Sequence, residues 1–133
     1  MGDQATATEA TVGNLKIPAP KTFSGKKDDE GYEYENYSRQ LKAYLSLQTP
    51  RFKELMVATE SAAGPIGMPA DEDDKHLARQ LQNFLILTCI DKAGRIVYRD
   101  DSDENGFESW RRLYQRYAPT KRVRFLGLMQ KIL

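Results

Sequence analysis

After Tyr32, apolar residues recur at three- and four-residue spacing through most of the chain, the period of helices that turn one face to a core. The run from Asn105 to Pro119 is the clearest case. Phe107, Trp110, Leu113, Tyr114 and Tyr117 share one face of a predicted helix, while Arg111, Arg112 and Arg116 fall mostly elsewhere. Asn105 is placed to cap the N–H groups that a first turn leaves unpaired, and Glu108 three residues on completes a variant capping box. Pro119 ends the run, because a proline disfavours helical geometry in the residue before it.

The same reading predicts further helices on either side. From about Tyr32 to Leu47, residues Tyr34, Tyr37, Leu41, Tyr44 and Leu45 stack on one side. Thr49 reads as the cap of a second helix with Pro50 in its first turn, where a missing N–H costs little, and Phe52, Leu55 and Met56 as its apolar side. That helix runs to about Ala62, and Gly64-Pro65-Ile66-Gly67-Met68-Pro69 is a loop. The acidic Asp71-Glu72-Asp73-Asp74 suits the positive end of a third helix, with Leu77, Leu81, Phe84, Leu85 and Thr88 on one face. Apolar content from Leu81 to Ile90 exceeds one stripe, which predicts that this helix is central and buried on most sides. Asp91 is the expected cap of a short fourth helix through Ile96, Val97 and Tyr98, although Gly94 within it costs ~1 kcal/mol relative to Ala. Thr120 is the expected cap of a last helix, in which Val123, Leu126, Met129, Ile132 and Leu133 oppose Lys121, Arg122, Arg124 and Lys131. Its apolar face reaches Leu133 without a stop signal, and is expected to continue into further protein or to meet a partner.

No stretch alternates as a strand should, so the predicted fold is all-α: a compact bundle of five to six helices behind a flexible N-terminal tail. Residues 1–14 are rich in Ala, Thr and Gly and cannot offset their ordering entropy by burial, which makes them the expected disordered tail. Residues 15–31 form an extended entry segment, held so by Pro18 and Pro20, with Ile17 and Phe23 available to pin it to a core. The helical lobe then spans 32–120 and the final helix 121–133. The expected core is Phe23, Tyr37, Leu41, Leu45, Leu81, Leu85, Phe107, Trp110, Leu113 and Tyr117, each worth ~1.5–3 kcal/mol when fully buried.

Composition narrows the function classes. The 133 residues suit one domain, and the net charge of +1 conceals an uneven distribution. Acid gathers at Asp28 to Glu30, Asp71 to Asp74 and Asp100 to Glu104, whereas Ser109 to Leu133 contains basic residues and no Asp or Glu. Arg111, Arg112, Arg116, Lys121, Arg122 and Arg124 are therefore the candidate contacts for another copy or for nucleic acid, with Trp110, Tyr114 and Tyr117 interleaved among the arginines. A solvated basic face is the plainer account of the same pattern. One cysteine, Cys89, rules out an intrachain disulfide and a cysteine-based zinc site within one chain, and suits a reducing, cytoplasmic setting. His76 is expected to be an exposed histidine near a helix start. No apolar run approaches the ~20 residues needed to span a bilayer, so no membrane partner is expected. There is no nucleophile arrangement with local support, no Gly-rich phosphate loop and no EF-hand spacing in the acidic clusters. The chain reads as non-catalytic, with no cofactor, metal or small-molecule substrate.

The order of these pieces carries a family resemblance. Phe23-Ser24-Gly25, then Tyr37-Ser38-Arg39-Gln40-Leu41-Lys42-Ala43-Tyr44-Leu45, then the apolar third helix, then Phe107-Glu108-Ser109-Trp110-Arg111-Arg112-Leu113 with Tyr117-Ala118-Pro119, together resemble the capsid region of retrotransposon Gag proteins of the Copia and Gypsy types. The likeness covers about Ile17 to Leu133. It departs where the family's first helix often carries tryptophan, since Tyr34 and Tyr37 stand here, and the chain has neither a C-x-x-C-x-x-x-x-H-x-x-x-x-C zinc knuckle nor a D-T/S-G protease signature. The resemblance implies the N-terminal lobe of a capsid domain that associates with other Gag copies into a particle shell. On that expectation acidic edges such as Asp100 to Glu104 meet basic edges such as Arg111, Arg112 and Arg116, with the last helix the preferred contact to a second lobe or neighbouring copy. Two other readings stand beside it: a domesticated Gag-like adaptor that binds an extended peptide or protein, its groove filled by Ile17 to Phe23 of its own chain, and an RNA- or DNA-binding module using Ser109 to Leu133.

Overall fold

Helix ends are set where the chain offers side-chain oxygens to otherwise unpaired N–H groups. In the computed structural model, which describes residues 9–12, 15–26, 32–99 and 104–118, five α-helices form the body of the protein. They are α1 (Tyr32–Ser46), α2 (Pro50–Glu60), α3 (Glu72–Thr88), α4 (Asp91–Tyr98) and α5 (Gly106–Tyr117). Thr49 caps α2 by accepting from Arg51 N, Asp71 caps α3 by accepting from Asp74 N, and Asn105 caps α5 by accepting from Phe107 N. At the far end of α5, Ala118 turns out of the helix at φ −64° and ψ 124°, the extended geometry that a following proline favours. The expected last helix and its cap Thr120 lie outside the described residues.

Ahead of the helices, β1 (Glu9–Val12) and β2 (Leu15–Pro18) pair antiparallel, with Glu9 opposite Pro18 and Val12 opposite Leu15. The composition of residues 1–14 predicts no pairing at all. A backbone ladder needs no large side chain, so composition carries no sign of it.

Expectation and structure also differ over the middle of the bundle. The apolar excess of α3 does not bury it on most sides: Leu87 is 59% exposed, and Phe84 and Ile86 are half-buried. The centre is α5, which packs on α2, α3 and α4 and buries eight of its twelve residues. Its approach to α3 depends on Gly106, where a Cβ would stand 2.3 Å from Gln82 N. All ten side chains expected in the core are buried. One of them, Phe23, comes from the entry segment, its ring centroid 5.2 Å from Tyr37 and 5.0 Å from Tyr117, while Tyr34 lies 5.8 Å from Trp110.

The entry segment is held by backbone as well as by its ring. Phe23 N donates to Thr88 O and Phe23 O accepts from Ile90 N, a one-residue parallel bridge at the α3–α4 junction. Ser24 O then accepts from Ala93 N at 3.0 Å, filling the role expected of Asp91. Asp91 instead sits one residue inside the helix at φ 52°, with Ile90 as the cap residue and no side-chain cap bond, and its carboxylate faces Lys26 Nζ at 3.3 Å. Gly25 completes the segment at φ +76°, where a side chain is both strained and obstructed, since a Cβ would meet the Tyr117 hydroxyl at 2.3 Å.

Candidate functional site

The arginines of α5, candidate contacts by sequence, differ in where the fold puts them. Arg111 turns inward. Its side chain is 7% exposed and forks onto Glu108, with Nε donating to Oε1 at 2.8 Å and Nη2 to Oε2 at 2.7 Å. Arg112 Nε donates to the same carboxylate at 2.9 Å, and the backbone N–H of Ile66, 42 residues away, donates to it at 3.0 Å. Burial pushes the Glu108 carboxyl up, but the hydrogen bonds from Arg111, Ile66 N–H and Arg112 prevail and hold it down to about 2. Glu108 is thus the anchor of the Gly64–Pro69 loop and a double arginine clamp, in place of the expected reciprocal capping bond to Asn105. Asn105 also reaches the loop, its Nδ2 donating to Ile66 O at 3.4 Å.

Further polar groups missed by the sequence reading lock α5 to its neighbours. Trp110 Nε1 donates to Glu60 Oε2 at 2.9 Å, and Lys42 Nζ stands 2.6 Å from the same oxygen, so one α2 carboxylate joins α1 to α5. Ser109 Oγ donates to Gln82 Oε1 at 2.7 Å, and Gln82 Nε2 donates to Val97 O at 3.3 Å, tying α5, α3 and α4 through a buried amide. Signals for these were present only as polar residues on otherwise apolar faces, Gln82 between Leu81 and Leu85 and Ser109 beside Trp110. At the helix starts, Asp74 is paired with Arg51, whose Nε and Nη2 lie 3.1 and 2.8 Å from its oxygens. The hydrogen bond from Arg51 holds the Asp74 carboxyl below its ordinary range.

The remaining candidates divide. Arg112 is one-third exposed, and Arg116 is exposed with its guanidinium carbon 5.2 Å from the Tyr117 ring centroid. Lys121, Arg122 and Arg124 lie outside the described residues, as do Asp100 to Asp103. Glu104, the described member of that acidic run, sits 3.3 Å from Arg79 of its own copy. Of the charges expected to meet across copies, Glu104 and Arg111 are therefore engaged within one copy. Arg111 in particular is committed to the interior, with 7% of its side chain exposed.

Cys89, His76 and the acidic start of α3 all fall among the described residues. No group of three His, Cys, Asp or Glu is positioned to hold a metal ion there, and no helix among them is long and apolar enough to cross a membrane. Cys89 is buried, and burial raises its thiol to about 11, far from a reactive thiolate. His76 is exposed and borders a shallow depression of ≈ 550 Å³ whose Arg51 and Asp74 are already joined to each other. A second depression, ≈ 720 Å³, lies between Pro20 of the entry segment and Tyr44 and Leu47 near the end of α1. Compared with protein-family models, with curated proteins and with solved structures, the chain matches none of them.

Proposed function

We propose that this chain is a non-catalytic structural lobe of the retrotransposon Gag capsid type, which works by associating with copies of itself in the cytoplasm. The observation that supports this reading is the convergence of its separate sequence pieces. Phe23 of the F-x-G entry, Tyr37 of the aromatic first helix and Trp110 and Tyr117 of the tryptophan-leucine helix are distant in sequence, yet form one aromatic cluster. A chain whose tryptophan, cysteine, buried carboxylate and buried arginine all serve packing has its chemistry invested in shape. What remains for function is surface.

Static light scattering over a range of protein concentration and salt tests the reading. The apparent mass is expected to rise with concentration. A mass that stays at one chain under every condition overturns it.

One observation favours the adaptor reading as the alternative. The entry segment occupies a slot at the α3–α4 junction through backbone hydrogen bonds and one aromatic side chain, the manner in which a sheet edge accepts an extended peptide. A peptide array screened with the full chain separates the two. Saturable peptide binding with no rise in mass supports the adaptor; a rise in mass with no peptide captured supports the shell.

A further inference from the structure

The helix α2 has a second face that the core does not use. Phe52, Met56 and Thr59 turn inward, and at about 100° per residue Pro50, Lys53, Glu54 and Val57 come round to the opposite side. With Ser46 and Ala58 these residues line a shallow groove of ≈ 670 Å³. Val57 is 44% exposed there, an apolar side chain on a face that also holds a lysine and a glutamate next to each other. Within its own copy Glu54 forms a solvent-exposed ion pair with Arg51 at 3.7 Å, and Arg51 makes its closer bonds to Asp74.

The spacing of this face is symmetric. Positions 50, 53, 54 and 57 are the i, i+3, i+4, i+7 stripe of a helix contact, and their midpoint falls between Lys53 and Glu54. Laying a second copy of α2 antiparallel across a two-fold axis at that midpoint sets Pro50 opposite Val57 at both ends. It also sets Lys53 opposite Glu54 twice in the middle. A two-fold contact requires a patch that complements itself, residue i meeting j while j meets i, and this stripe does so in both apolar character and charge. The opposite arrangement, a parallel pair in register, would bring Lys53 against Lys53 and Glu54 against Glu54.

We propose that the outer face of α2 is an isologous contact between two copies of this chain, with Pro50 and Val57 as its apolar ends and the reciprocal Lys53–Glu54 pairs at its centre. The inference rests on the self-association reading and says which surface carries it. A helix of about 16 Å offers less than the ~800 Å² per partner of a stable pairwise complex, so the contact is weak alone. Within an assembly held at other points as well, it gains from the effective concentration that those contacts supply.

Sedimentation velocity on the full chain over a concentration series at low salt provides the test, using wild type, Lys53→Glu, Glu54→Lys and the double exchange. Each single reversal sets like charges opposite each other twice, and is expected to weaken association about tenfold or more. The double exchange recreates the pairs with their signs swapped, and is expected to return association to near the wild-type level. Circular dichroism should show all four equally folded, because both side chains are exposed. If wild type associates and the single reversals leave association unchanged, the α2 contact is overturned while self-association stands. If the singles weaken it and the double does not restore it, the antiparallel pairing is overturned. If wild type remains a single chain throughout, both this inference and the self-association reading fall.

Discussion

α5 and the outer face of α2 contain the same kinds of residue and use them in opposite ways. On α5, an acid and an arginine one turn apart are both about 7% exposed and fork onto each other, and the acid takes a backbone N–H from a loop as well. On α2, a lysine and a glutamate lie side by side in water beside an exposed valine. The difference is where the helix sits, not what it is made of. A helix packed on three others must pair every charge it carries inward, since an uncompensated buried charge costs several kcal/mol. A helix at the rim keeps its charges solvated, where they add little to stability and are free to set the orientation of a partner.

The contrast can be broken most forcefully at Trp110. Replacing it with Ala empties a fully buried site and leaves Glu60 without its indole donor, and is expected to cost about 4 kcal/mol in urea unfolding. A loss below about 1 kcal/mol would mean that α5 is not the centre of the bundle.

Glu108→Gln comes next, at about 3 kcal/mol, because it removes the buried carboxylate onto which Arg111 forks. It should also alter the response to acid. The folded carboxyl is held near 2, below its ordinary value of 4.5, so its contribution is complete above the higher value and is lost as pH falls from there toward 2. Asp74, lowered by Arg51, acts in the same direction. Stability measured from pH 6 to pH 2 should therefore fall for wild type and fall less steeply for Glu108→Gln; parallel curves would remove Glu108 from the acid response.

A smaller and opposite pair of effects sharpens the interior half of the comparison. Tyr37 places its hydroxyl 2.6 Å from Thr88 Oγ1, whereas the Tyr34 hydroxyl is buried with no hydrogen bond of good geometry among the described residues. Tyr37→Phe should lose about 1 kcal/mol, and Tyr34→Phe should gain about 1 kcal/mol by removing an unsatisfied group. Melting temperatures that move in the same direction for both would contradict this. The smallest change belongs to the rim: Lys53→Glu should shift unfolding free energy by less than about 0.5 kcal/mol. A large loss of stability there would show that α2 uses its outer face for folding.

The residue pattern was informative wherever a local rule decided the outcome. Thr49 and Asn105 cap the helices they were expected to cap, and Asp71, expected only as acid at a helix start, caps α3, because a cap acts on N–H groups two or three residues away. It was misleading over α3, whose apolar surplus leaves Leu87 in water, and over the start of α4, where Ser24 O does the work expected of Asp91. The partner of that N–H comes from an entry segment nearly 70 residues earlier in the chain, and no local spacing reports it.

By itself, then, the sequence determined the helical period, the caps of α2 and α5 and ten of the side chains that enter the core, since a helix in water must bury its apolar stripe whatever its neighbours are. Only the tertiary structure decided which helix is central and which charges are absorbed. Arg111 and Arg116 both fall off the apolar stripe on a helical projection, one on each flank, yet one is clamped by Glu108 and the other lies exposed beside Tyr117. Burial of a charge depends on partners brought by distant segments, here Ile66 to Glu108, and such partners meet only when the chain has folded.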